Sequence, residues 1–554
     1  MTRGDGMQGM QQGREPLYAG STVAELYRSA FKSFAQREAI VGDGVRLSYQ
    51  ALEAQCHRMV RYFESIGLRR QDGISLLSGN RADAVVAIIA AQLMGLRYTA
   101  LHPLAAQDDH VFALRDAGIK ALIVDVPRFA ERGAALAALG VVEHVLTLGP
   151  ASFGADVNAA LPAFDGADIP LRVQPEDISK ISYTGGTTGK SKGVIHRQRT
   201  TVTMTLQQLA CWEWPAQTRF LAATPISHAS GAIMLPVLLR GGTLFFMSKF
   251  SPEDFLQTVV AERISSTFLV PTQIYGLLDC ETLDQYDLSP LQMVLYGAAP
   301  IAEARLAQAV QRLGPVFCQI YGQAEAPMTI SYLRRHEHDP RRPQLLRSCG
   351  RPLPGNQVKL LDANLREVGP GEVGELCVRG PLIMHEYLNR PEETEKAFAG
   401  DWLHTGDMAR QDADGYLCIV DRAKDMIISG GFNVYSSEVE NCLAQHPAVS
   451  LSAVIGLPHP KWGEAVTAVV VLKPGCSANA QELIAFVAKR KGVVNAPKTV
   501  VFEANLPLTA VSKLDKKAIR AMYAHGNANT TDGTDSTDGT DNTDNMVSSP
   551  QHIV

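Results

Sequence analysis

A chain of 554 residues, with 46 % hydrophobic and 20 % charged residues, can bury an ample core without disulfide or metal staples. Its formal net charge of −5 is spread along the chain, which speaks against a dedicated nucleic-acid surface or a polybasic membrane patch. At roughly 150 residues per domain, the length suggests three or four structural units.

Residues 1–16 are polar and glycine-rich, without the apolar stretch of a secretory signal, and are expected to be disordered. Leu52, Cys56, Met59, Val60, Phe63 and Ile66 then recur mostly at spacings of three and four, which predicts a helix over 48–66 with one apolar face. A strand follows at Ile74–Ser78, and a buried helix at Ala84–Met94 ends at Gly95. Short apolar or β-branched runs continue at 121–126, 144–148, 180–183, 219–223, 243–247, 266–270 and 293–296, most of them separated by helix-length segments. Strands alternating with helices imply α/β layers with mostly parallel sheets.

From 355 to 380 the character changes. VKLLD, GELCVRG and, further on, GYLCIVDR read as strands joined by Gly and Pro turns, a smaller antiparallel unit. A compact α+β segment follows from about Lys424, with helices at 437–445 and 480–491 and strands at 450–455 and 465–472. After Ala524 a Thr/Asp/Gly repeat has almost nothing apolar to bury, so a disordered acidic tail is expected. Nine scattered cysteines form no CxxC pair and are read as free thiols in a reducing compartment. No run approaches the ~18 apolar residues of a spanning helix, so a cytoplasmic protein with no transmembrane segment is expected.

The chemistry is most legible at residues 183–193, Tyr-Thr-Gly-Gly-Thr-Thr-Gly-Lys-Ser-Lys-Gly. Gly185, Gly186, Gly189 and Gly193 would let backbone N–H groups approach an anion; Thr184, Thr187 and Thr188 add hydroxyls, and Lys190 and Lys192 add charge. The nucleoside-triphosphatase P-loop fails here, because its first glycine would fall on Thr184. Taken alone, such a loop could be a plain surface turn.

The segment resembles the signature of the adenylate-forming superfamily of acyl-CoA synthetases, luciferases and peptide-synthetase adenylation domains, with Gly185 in place of serine and Ser191 in place of proline. Further motifs stand in that family's order from about Tyr49 to Arg520, nearly the whole chain apart from its tails. The resemblance implies a large N-terminal domain of layered α/β sheets with a small antiparallel barrel-like subdomain (17–423). A smaller mobile α+β domain (424–524) would follow on a hinge at Lys424. It also implies roles. Thr224–Gly231 would carry a mobile His228 beside the acyl pocket, with Gly297 and Gly322 lining it. Gly297, Ala298 and Ala299 would lie against adenine and Tyr321 would stack on it. Glu325, with Thr184, would hold Mg²⁺, while Asp407 would bind the ribose and Arg422 the ribose and phosphate. Gly430 and Gly431 would pass the pantetheine arm, and Lys513 would be the catalytic lysine. Taken singly, most of these positions read equally well as ordinary turns, core aromatics or surface charges. Ala324, Ser436, Leu508 and Ser512 depart from the family pattern.

The implied reaction joins a carboxylic acid to coenzyme A through acyl-AMP, with ATP, Mg²⁺ and coenzyme A as the small-molecule requirements. The Asp421–Glu440 wording leans towards a fatty acid. Ser227-His228, where amino-acid-activating domains place Phe-Asp, disfavours a free amino acid. An aryl or alicyclic acid, a carrier-protein acceptor and a non-catalytic nucleotide-binding homologue stay open, as does a homodimer.

Overall fold

A computed structural model describes residues 20–42, 44–184, 191–509 and 514–524. The expectations for residues 1–16, for Gly185–Lys190, for Lys513 and for the tail from 525 lie outside the described residues.

Two large sheets carry the N-terminal body. One has nine strands in the order 351–352, 326–333, 317–323, 293–296, 266–269, 219–222, 243–246, 38–42, 45–48. Its six central strands run parallel and its edges are antiparallel. The other has seven strands in the order 155–156, 144–148, 119–125, 73–77, 97–100, 178–184, 192–197, parallel except for the last pair. Helices Val23–Phe34, Tyr49–Ser65, Ala82–Met94 and Ala229–Leu239 contribute to one continuous core that draws on both sheets, including Phe31, Phe63, Ile89, Phe220 and Phe268. The expected α/β layering with mostly parallel sheets is therefore present.

Local chemistry accounts for the boundaries. Ser48, read as the first residue of its helix, is instead its cap: Oγ accepts from the Ala51 N–H at 3.1 Å. The next helix begins at Ala82, two residues earlier than its apolar run suggests, and almost all of it is buried. Helix Ala480–Lys491 starts with a capping box between Asn479 and Glu482, and its bounds match the sequence reading.

Strands Gln357–Leu361, Gly374–Arg379, Leu403–Gln411 and Leu417–Arg422 form the expected antiparallel sheet. The third has no strand signature in the sequence, because Gly406 interrupts its alternation. Gly406 adopts φ +71°, a left-handed conformation that glycine tolerates. The ladder shifts register nearby, opposite Glu375 and Cys377. Such a bulge bends a strand and re-aims the side chain beside it; here that residue is Asp407.

The C-terminal region has its own sheet: 432–434, 427–429, 463–472 and 449–459, with 499–502 added alongside 463–472. Its cores are separate clusters centred on Val454, Val466, Leu483 and Val487, and on Ile455, Leu506 and Ile519. Among the described residues no helix is long and apolar enough to cross a membrane.

Candidate active site

The segment read as a phosphate loop connects two antiparallel strands, Ile178–Thr184 and Lys192–Arg197, with Thr184 paired to Lys192. Gly185, Gly186, Thr187, Thr188, Gly189 and Lys190 lie outside the described residues. Lys192 is well engaged: it forms an ion pair with Glu393, and its Nζ lies 4.8 Å from the centroid of the Tyr387 ring. It is therefore tied to the protein as well as carrying charge near the loop.

Gly297–Ala299 follow strand Met293–Tyr296, which pairs with Phe317–Gln323. A Cβ on Gly297 would come within 2.4 Å of the Ile320 carbonyl oxygen, and one on Gly322 within 2.3 Å of the Met328 nitrogen. Neither position admits a side chain, because the backbone of a neighbouring segment packs directly against it. Ala298 adopts φ +67°. A non-glycine residue in that region carries strain of order 1–3 kcal/mol and clusters at ligand sites.

Tyr321 lies on strand Phe317–Gln323, and its Oη donates to Asp407 Oδ2 at 2.7 Å. Arg422 Nε meets the other oxygen of Asp407 at 2.9 Å. Asp407 is 3 % exposed, and its own N–H donates to Thr405 Oγ1 at 3.1 Å. Burial, and then the Asp407 carboxylate, push the Tyr321 phenol well above its ordinary range, so it remains a donor. The Asp407 carboxylate raises Arg422 in turn, with Glu325 among the further negative charges it feels. Three residues expected around one nucleotide are thus joined directly, with a fourth close enough to be felt electrostatically.

Glu325 sits in the turn between Phe317–Gln323 and Ala326–Leu333. Its Oε1 accepts from Tyr387 Oη at 2.7 Å, and its backbone carbonyl from the Met384 N–H at 2.7 Å. The preceding Ala324 carbonyl is bound by His196 Nε2 at 2.7 Å. Oε2 of Glu325 has no partner among the described residues. A carboxylate oxygen of this kind fits a hard cation that takes one or two protein carboxylates and completes its shell with water and substrate phosphates.

His228 immediately precedes helix Ala229–Leu239, with Nδ1 2.8 Å from Ser227 Oγ. Its ring meets the His102 ring edge-on, centroids 4.5 Å apart. Asn80 pins this loop, accepting from the Ile226 N–H at 2.8 Å and donating to the carbonyls of Ala222, Thr224 and Met247.

Lys424 lies two residues after Arg422; partial desolvation, and then the Arg422 guanidinium, lower its ammonium below the ordinary value. Gly430 and Gly431, at φ +59° and +82°, turn the hairpin between 427–429 and 432–434, flanked by exposed Ile428 and Phe432. Lys513 lies outside the described residues. The helix Lys516–Ala524 that follows docks firmly: Lys516 Nζ donates to Ser436 Oγ at 2.6 Å and pairs with Glu440 at 2.8 Å. Ser436 N–H and Oγ both donate to Asp421 Oδ2. Arg520 meets Asp425 at 3.0 Å.

Sequence reasoning missed Tyr387, His102 and the Asp421–Ser436–Lys516 network. Tyr387 belongs to no segment singled out in the sequence, and His102 stands in an unremarkable Leu-His-Pro. In the sequence Ser436 is only a departure from proline, yet that departure supplies an N–H and a hydroxyl to Asp421.

Known proteins align with this arrangement. The family described as AMP-binding enzyme matches residues 27–388, and its C-terminal domain matches residues 438–513. A medium/long-chain-fatty-acid–CoA ligase of Mycobacterium tuberculosis is 44 % identical, over 93 % of this chain and 91 % of its own. A feruloyl-CoA synthase of an Amycolatopsis species is 35 % identical, over 87 % of this chain and 94 % of its own. Among solved structures, the amide bond synthetase McbA of Marinactinospora thermotolerans superposes with a TM-score of 0.83 at 33 % identity, covering 90 % of this chain and all of its own. The motif order, the layered sheets and these matches agree: the chain belongs to the AMP-binding enzyme family.

Proposed function

We propose that this chain is an AMP-forming acid–thiol ligase. It converts a carboxylic acid and ATP into acyl-AMP and pyrophosphate, then transfers the acyl group to coenzyme A and releases AMP. The observation that carries the reading is the joined cluster Tyr321–Asp407–Arg422 beside the Glu325 turn. A buried carboxylate held by a phenol and a guanidinium is suited to two ribose hydroxyls, which can take over those hydrogen bonds. Gly297–Ala299 supply the flat backbone for adenine. Glu325 and Thr184 would hold Mg²⁺, which when bound neutralises triphosphate charge. Lys513 would bridge the attacking carboxylate and the α-phosphate as negative charge builds there. His228 would line the acyl pocket.

The unit boundary is placed at 423/424, with Lys424 as pivot and the Gly430–Gly431 turn as the coenzyme A face brought in for the second step. The similarity to a medium/long-chain-fatty-acid–CoA ligase favours a medium- or long-chain fatty acid, with an aromatic acid as the runner-up from the feruloyl-CoA synthase. Nine cysteines without a disulfide among the described residues suit the cytoplasm.

The test is an acid panel from acetate through ferulate to palmitate, scored by ATP–pyrophosphate exchange and then by thioester formation with coenzyme A. Acid-dependent exchange with thioester formation on fatty acids is the expected result. Exchange without thioester unless a holo-carrier protein is supplied would move the acceptor, and no exchange with any acid would defeat the enzyme reading.

A further inference from the structure

The strand that returns from the nucleotide loop, Lys192–Arg197, has a second neighbour. Its outer edge takes up residues 385–388: His385 N–H donates to the Ile195 carbonyl at 2.8 Å, Ile195 N–H to Glu386 at 3.0 Å, and Leu388 N–H to Gly193 at 2.7 Å. Val194 bridges to Tyr387 across this edge. The phosphate-loop strand and Tyr387 are therefore fixed to each other through the backbone.

Tyr387 is 9 % exposed and touches two charged groups assigned to the nucleotide. Its hydroxyl donates to Glu325 Oε1, and its ring face receives the Lys192 ammonium. An ammonium and a carboxylate brought this near each other would otherwise attract each other directly. An aromatic ring with a hydroxyl prevents that, because its face accepts the cation and its edge donates to the anion. Glu393 takes the remaining pull of Lys192. Met384 N–H and His196 hold the backbone of the same turn, so Tyr387 is the contact that fixes the carboxylate itself.

We propose that Tyr387 is a positioning residue of the nucleotide site: it separates Lys192 from Glu325 and holds the Glu325 carboxylate so that Oε2 faces the cation carried by ATP. This rests on Glu325 as the carboxylate for that cation. Tyr387→Phe keeps the ring under Lys192 and removes only the hydroxyl; Glu325→Gln tests the carboxylate. The measurements are calorimetric ATP binding with and without Mg²⁺, KM for ATP and for the acid, and thermal midpoint. For Tyr387→Phe the expected result is ATP affinity about tenfold weaker in Mg²⁺, as for loss of one charge-assisted hydrogen bond. Affinity without Mg²⁺, KM for the acid and the thermal midpoint should change little.

Wild-type affinity of Tyr387→Phe in Mg²⁺, with Glu325→Gln weakened, would overturn the role of Tyr387 alone. Equal weakening with and without Mg²⁺, together with a raised KM for the acid, would make Tyr387 a packing residue and overturn it as well. Unchanged Mg²⁺-dependent affinity in Glu325→Gln would remove Glu325 from the cation and take the Tyr387 proposal with it.

Discussion

The buried histidines of the N-terminal body and the ionic cluster at its junction with the C-terminal region handle buried polar groups in opposite ways. In the body, burial keeps imidazoles neutral: His102, His196 and His338 are each lowered to about 4. His196 and His338 are almost fully enclosed, and their rings bond to main-chain carbonyls of Ala324 and Arg334. At the junction with the C-terminal region charge is kept and paired, as it is at Asp407 and Arg422. Lys516, Glu440 and Asp421 form a buried ionic knot; burial raises both carboxylates, and although burial opposes the Lys516 ammonium, Glu440 and Asp421 hold it above its ordinary value. Neutral, directional bonds suit a frame that must hold one geometry. A buried ion pair contributes little net stability over an apolar replacement, yet losing one partner is expensive. Such a knot therefore discriminates sharply between the arrangement it fits and any other.

The hardest blow to this division comes at Lys513. If the body binds and the C-terminal region brings the charge needed at the reacting phosphate, Lys513→Ala should lower acyl-AMP formation by about 10²–10³-fold, the loss of one oxyanion-type donor. ATP binding should change far less, and preformed acyl-AMP should still yield thioester. Full adenylation in that variant would leave Lys513 a surface charge and the C-terminal region without a part in the first step.

Asp407→Ala strikes the body instead. Two charged hydrogen bonds worth roughly 1.5–3 kcal/mol each are at stake, so KM for ATP should rise by at least tenfold. Unchanged ATP affinity would remove Asp407 from the ribose. Lys424→Pro probes the join: a fixed φ should spare adenylation and slow thioester formation. Equal loss of both half-reactions would place the pivot elsewhere.

The pH response separates the two regions by sign. For the histidines, a folded value near 4 against about 6.5 unfolded means that the unfolded chain binds more protons between those values. That stability is present above pH 6.5 and is lost as pH falls towards 4, by up to about 3 kcal/mol for each enclosed histidine. Asp421 and Glu440 act the other way: with folded values above the ordinary carboxylate range, the folded chain binds more protons, and their contribution falls as pH rises above about 4. Thermal midpoints from pH 4 to 7 should therefore show a shallower acid limb in His196→Gln and a steeper one in Asp421→Asn. Parallel curves would erase the contrast. The smallest effect is expected from Ser436→Pro. Proline fits the first turn of helix Ser436–Leu443 but removes both donors to Asp421, so a loss of about 1–3 kcal/mol is expected from chemical denaturation.

The body was largely legible in the sequence because its strands are short runs between amphipathic helices, and period alone separates the two. The proposed nucleotide residues were legible only through the order of the motifs that resemble the adenylate-forming family, since singly most of them read equally well as turns, core aromatics or surface charges. Strand Leu403–Gln411 was not, since the bulge at Gly406 breaks the alternation that marks a strand. Tyr387 and Ser436 were not either. Their partners, Glu325 and Asp421, lie 62 and 15 residues away, and nothing local announces such a contact.

Neighbouring residues on a strand point to opposite faces. Asp421 and Arg422 end strand Leu417–Arg422, and the two faces they serve are different: Arg422 reaches Asp407, while Asp421 reaches Ser436 beside Lys516. One peptide unit thus belongs to both regions at once. A ligand that draws Arg422 away from Asp407 must pull on the same strand end that the C-terminal helix grips. Coupling of this kind is reciprocal: whatever factor the knot imposes on nucleotide affinity, the nucleotide imposes on the knot. If Asp407 holds the ribose as proposed, amide exchange at Lys516–Ala524 should respond to nucleotide without any turnover at all.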